Sequence, residues 1–286
     1  MTVFVRVLGP VAIERQGQRA ALGGPQARAL LALLLVRRGE VVSTEWLIDG
    51  LWGETPPPSA RAQVQNRVCR LRSVICVEPV GALALETVGT GYRLCVPPGL
   101  LDLDLFRGNV DSAETYLRQG LTSQAAAVLR DALGTWRDRP YADVDLPVVQ
   151  EAAKHLAVLR LVAVERWVAA ELSGGAAGAV LPELDRLVAE HPYHERLRAH
   201  LMTALCMSGR AAEALAVYRD GRNRLAQDLG VEPSAELQSL HRQILGGRQL
   251  DGYPAVSGQG ERPASLGVIA IDQMRDRPSN RKEIAS

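Results

Sequence analysis

The 286-residue sequence predicts a mostly α chain in two parts, a small α+β unit at the N-terminus and an all-α run of helical repeats behind it. Three observations predict it. Residues 3–98 order short strand signals, three helix-periodic segments and a glycine-flanked hairpin. Residues 105–245 are helix-periodic almost throughout. Within that second stretch, glycines and apolar positions recur at matching offsets. Hydrophobic residues make up 47% and charged residues 23%, enough apolar material for a sizeable core.

In the first unit, Val3, Val5 and Val7 alternate with Phe4, Arg6 and Leu8, and Gly9-Pro10 and Gln16-Gly17 supply turns, so residues 3–22 read as short strands. Gly23-Gly24-Pro25 breaks that pattern, and Pro25 suits the first turn of a helix. Residues 26–38 are apolar on most faces and predict a central, buried helix. Ser43 is a good N-cap for a second helix through Trp52, where Leu47 and Leu51 share a face. Three prolines in residues 53–58 end it. Ser59 then caps a third helix over 60–76, whose core stripe is Val64, Val68, Leu71 and Ile75. After Glu78-Pro79, strands at 84–88 and 92–96 joined by Gly89-Thr90-Gly91 form a hairpin. That order is the order of a winged helix-turn-helix, assigned to residues 1–98.

Pro97-Pro98-Gly99 marks a boundary, and an all-α domain of tetratricopeptide-like repeats is assigned to 101–246. Its breaks fall at Pro140, Pro147, Gly174-Gly175, Pro192, Gly209 and Pro233. Gly120, Ala125, Val128, Leu129 and Arg130 match Gly209, Ala214, Val217, Tyr218 and Arg219 in spacing, while Gly175, Val180 and Leu184 keep the same offsets between them. The interval from Gly175 to Gly209 is 34 residues, the tetratricopeptide period, in which a small residue is expected to let paired helices pack closely. The interval from Gly120 to Gly175 is 55, so the array is irregular. Residues 247–286 are polar, rich in Gly and Pro, and expected to be a disordered tail, with 266–271 as an apolar run that could dock.

The net charge of +1 hides an uneven distribution. Residues 1–100 carry eleven Arg and seven acids, whereas 101–250 carry 17 cationic residues against 20 acids. A basic first third suggests a polyanion partner for that unit alone. The third helix concentrates it, with four arginines and no acid between Ser59 and Ser73. With its apolar stripe inward, Ala62, Asn66, Cys69 and Ser73 lie opposite; Gln63, Arg67 and Arg70 flank one side, and Arg61, Gln65 and Arg72 the other. A helix fits the major groove of DNA, where Arg pairs with guanine and Asn or Gln with adenine. Arginines at the edges would meet phosphates, and the small residues would let the backbone approach the bases. The hairpin adds Thr90, Tyr92 and Arg93 for phosphate or minor groove, although Tyr92 serves equally well as a core residue. The blander alternative is a solvated amphipathic face.

Other chemistries find less support. The cysteines Cys69, Cys76, Cys95 and Cys206 lack zinc spacing, and Cys69 and Cys76 are too far apart along a helix to bridge easily. His191, His194 and His200 have no converging third ligand, so neither a metal nor another cofactor is expected. No catalytic set can be assembled, and Asp143 and Asp145 look like loop residues, so an enzyme is not expected. The apolar runs are too short to span a membrane and no secretory signal is apparent, which makes a soluble, cytoplasmic protein the expectation. Two further readings stay open: a helical-repeat adaptor that binds protein, and a regulator whose repeats hold a small ligand.

The stretches Val7-Leu8-Gly9-Pro10, residues 22–53, the SxxxxVxxxVxxLR frame of 59–72 and Gly91-Tyr92-Arg93-Leu94 resemble the Streptomyces antibiotic regulatory protein family, with its OmpR-type winged helix. Leu103-Asp104-Leu105-Phe106, residues 189–219 and residues 229–245 resemble that family's bacterial transcriptional activator domain. The resemblance covers 3–245. It implies a transcriptional activator of a biosynthetic gene cluster that binds direct repeats overlapping the −35 region and recruits RNA polymerase through its sigma factor. It maps the recognition helix onto 59–75, the wing onto 85–96 and a polymerase-contact loop onto 52–58, and direct repeats imply protomers placed head to tail. Larger relatives carry an ATPase module; this sequence has no G-x-x-x-x-G-K-[ST], and no such activity is expected. Residues 74–84 differ from the family's usual helix-to-wing turn.

Overall fold

The computed structural model describes residues 3–75 and 83–247. The expected helix end at Cys76, the Cys69–Cys76 relation, the Glu78-Pro79 turn and residues 248–286 of the expected tail lie outside the described residues.

Strands β1 (Val3–Arg6), β2 (Ala12–Arg15) and β3 (Gln18–Arg19) form an antiparallel sheet in that order. Val5 opposes Ile13, and both are fully buried. Gln16 and Gly17, with φ of 51° and 79°, make the two-residue turn between β2 and β3. Helix α1 (Pro25–Val36) starts with its proline in the first turn and buries every side chain from Leu30 to Leu35, as an apolar run without a polar face must. Strand β4 (Val41–Ser43) leads into α2 (Thr44–Trp52), whose N-cap Ser43 accepts the Trp46 N–H at 3.1 Å. Helix α3 (Ala60–Ile75) buries Val64, Val68, Leu71 and Ile75, and β5 (Ala84–Val88) and β6 (Gly91–Cys95) form the hairpin. The second sheet runs β4-β6-β5, antiparallel. β4 has no counterpart among the sequence-based expectations, because three residues show no period.

The second part comprises α4 (Asp102–Arg118), α5 (Thr122–Gly134), α6 (Pro147–Ser173), α7 (Ala177–Glu190), α8 (Glu195–Met207), α9 (Ala211–Arg224) and α10 (Ala235–Leu245), with a π-helical turn at Leu225–Leu229. Consecutive helices pack in pairs. The repeated glycines correct one expectation. Gly120, Gly175 and Gly209 have φ of 74°, 76° and 75°, and a Cβ at each would meet open space, so close packing is not their role. Each instead ends a helix in the same way: Leu121 N–H bonds the Tyr116 carbonyl, Ala176 that of Glu171 and Arg210 that of Leu205. The left-handed conformation this motif needs suits glycine. The long interval after Gly120 holds the 27-residue α6.

The two parts share a continuous core, and polar contacts stitch them together. Val5 N–H donates to the Leu100 carbonyl at 2.7 Å, and Arg137 and Tyr141 N–H donate to Leu8 and Val7 carbonyls at 2.9 Å. Asp102, 1% exposed, accepts from the N–H groups of Val7, Leu8 and Leu103 at 2.9–3.1 Å. Burial pushes its carboxyl pKa up while those three donors pull it down. Arg38 pairs with Asp104, Arg137 with Glu14, and Arg28 with Asp143, which also accepts Val11 N–H. Asp143 is therefore a tie between the parts rather than a bare loop residue. His194 caps α8, and His200 is buried. Among the described residues, no helix is long and apolar enough to cross a membrane.

Candidate nucleic-acid interface

Two helices and a hairpin present α3. Its apolar stripe faces α1, α2 and β5, which leaves Arg61, Ala62, Gln65, Asn66, Cys69, Arg70 and Ser73 exposed, with Gln63, Arg67 and Arg72 half-buried at the margins. At 1.5 Å per residue the 16-residue helix is about 24 Å long, enough to lie along a groove. Ser59 was expected to cap the helix. Its hydroxyl accepts from the Gln63 side-chain amide at 3.0 Å, while a turn bonds Ala60 N–H to the Pro57 carbonyl.

The arginines divide by partner. The guanidinium of Arg70 has no hydrogen-bond or ion-pair partner among the described residues and stays exposed. Among the described residues Arg67 bonds only neutral side-chain oxygens, those of Gln26 and of Gln63, and it lies 5.4 Å from the Trp52 ring centroid. Desolvation, then the Arg70 charge, lowers its pKa. Arg61 pairs with Glu45 of α2, and Arg93 makes a two-armed pair with Glu86 at 2.8 and 3.0 Å. The face is free of carboxylates along α3 itself, but neighbouring elements supply two. Such exposed pairs are weakly held, so both cations remain available to phosphate.

Two of the sequence-predicted contact residues find their partners within the protein. Arg72 turns away from the exposed face: its Nε donates to the Leu85 carbonyl at 2.8 Å and its terminal nitrogen to Thr87 Oγ1 at 2.6 Å, bracing the hairpin on α3. Tyr92 is 7% exposed, opposite Val42 and Thr87 across the sheet, and holds the hairpin to the core. Thr90 is exposed at the hairpin turn, whose carbonyl accepts from the Thr44 hydroxyl at 2.6 Å. The turn is thereby pinned to the start of α2.

Sequence reasoning missed Gln26. It sits in the first turn of α1, beside a cleft of about 390 Å³ lined by Gly23, Pro25, Gln63, Asn66, Arg67 and Arg70. The exposed start of that helix after Gly23-Gly24 is the only local signal, because its approach to α3 is tertiary. No group of three His, Cys, Asp or Glu side chains among the described residues could hold a metal ion.

Residues 101–245 match the family described as "Bacterial transcriptional activator domain", and residues 17–94 match "Transcriptional regulatory protein, C terminal". The chain is similar to "Regulatory protein AfsR" of Streptomyces coelicolor, at 43% identity over 84% of this chain and 24% of that protein, so it spans about a quarter of that relative's length. It is 34% identical to "Regulatory protein DnrI" of Streptomyces peucetius over 84% of this chain and 91% of the relative. Among solved structures, Mycobacterium tuberculosis EmbR, in complex with a low-affinity phosphopeptide, superposes with a TM-score of 0.79 at 34% identity, covering 87% of this chain and 66% of that one.

Proposed function

This chain belongs to the Streptomyces antibiotic regulatory protein family of transcriptional activators, and on that premise we propose that it binds promoter DNA sequence-specifically through the exposed face of α3. The observation that carries this reading is the carboxylate-free surface of Gln65, Asn66, Cys69 and Arg70, buttressed from behind by α1, α2 and the hairpin. Gln65 and Asn66 offer paired donors and acceptors to an adenine edge. Arg70 and Arg67 flank them for phosphate, with Gln63 beside Arg67 in the cleft. Arg61, Arg93 and Thr90 extend the rim, the two arginines exchanging their carboxylates for phosphates.

The rest of the proposed mechanism is carried over from the family resemblance. The sites are direct repeats near the −35 region of a biosynthetic gene cluster, occupied by protomers head to tail, which needs no two-fold axis. The exposed loop 52–58, with its three prolines, is suited to touching RNA polymerase at its sigma factor. The setting is the cytoplasm, and the chemistry is binding rather than catalysis. The test is selection of random duplexes on the full chain, followed by footprinting of the enriched sequence. Enrichment of a repeated half-site supports the reading; recovery of unenriched sequence at low salt, or no retention, contradicts it.

A further inference from the structure

The last turn of α3 is gripped by two arginines. Arg72 ties it to the hairpin, as described above. A second tie comes from Arg15, the final residue of β2, lying 58 positions away in the sequence from Ser73. One of its terminal nitrogens donates to the carbonyls of Ser73, at 3.2 Å, and of Val74.

Those two carbonyls lie near the C-terminal end of the described part of α3. Arg15 is held for the task. It enters the hairpin turn Gln16-Gly17 as the last residue of β2. On the preceding residue of β2, pointing to the other face of the strand, Glu14 is clamped by Arg6 at 2.5 Å and by Arg137 of the helical domain at 3.0 Å. The strand that carries Arg15 is therefore anchored to the second domain, and a fixed base lets its two bonds hold the direction of the helix.

We propose that Arg15 is a positioning residue for DNA reading: it fixes the angle at which α3 presents Asn66 and Arg70, without touching DNA itself. The proposal rests on the DNA-binding reading above. Base-edge hydrogen bonds need that angle, whereas the long-range attraction of arginines to phosphate tolerates a change in it. Loss of Arg15 should thus lower specific binding and spare non-specific binding.

The experiment uses the full chain, a duplex enriched by the wild type, and a random duplex of equal length, with affinity read by fluorescence anisotropy across a salt series. Arg15→Ala is expected to bind the enriched duplex about tenfold more weakly, the scale of losing charge-assisted hydrogen bonds. Its affinity for the random duplex and its salt slope should stay at wild-type values. Arg15→Lys, which keeps the charge and a donor, should recover most of the loss. Should Arg15→Ala not fold, Arg15→Gln carries the same comparison. Unchanged affinity for the enriched duplex overturns the proposal. Equal losses on both duplexes, with a slope lower by about one, overturn it too, because they mark a direct phosphate contact. Failure of the wild type to enrich any duplex instead removes the DNA-binding reading, and this proposal with it.

Discussion

Arg70 and Asn66 lie about one turn apart on the exposed side of α3, and their chemistry assigns them separable effects. The Arg70 charge has no counter-ion among the described residues, so Arg70→Ala should weaken binding and lower the slope of log affinity against log salt by about one. An unchanged slope, measured by anisotropy, would remove Arg70 from the phosphate contacts. Asn66→Ala should change base preference, with a loss on the order of 1–3 kcal/mol at one position of the site. An even loss over all sequences would mark Asn66 as a non-reader. Spacing alone identifies which residues of α3 are outward, because burial follows the helical period. It does not identify the partners of the margin residues. Arg72 finds Leu85 and Thr87 only because the hairpin folds back against the helix. Arg61 and Arg93 find their carboxylates on other elements.

At the scale of elements, the hairpin depends on one glycine that conformational arguments alone would not single out. Gly91 pairs with Ser43, and a Cβ there would lie 2.4 Å from the Val42 carbonyl oxygen. Gly91→Ala must therefore push β6 from β4, costing on the order of 1–3 kcal/mol. A urea midpoint equal to that of wild type would contradict this. The same strand pairing shows where the sequence falls short. The stripe on α3, the Ser43 cap and the all-round apolar α1 are legible because local spacing determines them. Strand β4 is too short to show a period, and β6 lies one residue earlier than the alternation suggests. In the helical domain, the offsets of Ala125 and Leu129, Val180 and Leu184, and Ala214 and Tyr218 from their glycines do mark buried positions. The physical reason for the glycines is the turn and not the packing, since spacing is blind to φ.

On the scale of the molecule, residues 5–8 at the end of strand β1 are joined to residues 100–102 at the start of helix α4 through buried carboxylate and backbone bonds, so the helical domain supports the base on which α3 stands. That domain also carries an acid-sensitive group. Burial, then the neighbouring charges of Arg196 and His194, lowers the pKa of His200 from 6.5 to about 4. A histidine with a lowered folded-state pKa contributes stability above the unfolded value and loses it as pH falls towards the folded one. Unfolding free energy should thus fall between pH 6.5 and about 4, by on the order of 3 kcal/mol from this residue. In His200→Gln that part of the pH dependence should flatten in denaturant titrations; an unchanged profile would clear His200. The most direct test of the central claim, that the exposed side of α3 lies against DNA, uses a thiol already in place. Cys69 is exposed on that side, while Cys95 and Cys206 are half-buried elsewhere. An enriched duplex should slow alkylation of Cys69 by N-ethylmaleimide, read by peptide mass spectrometry, and leave Cys95 and Cys206 unaffected. Equal Cys69 labelling with and without saturating DNA would contradict the account.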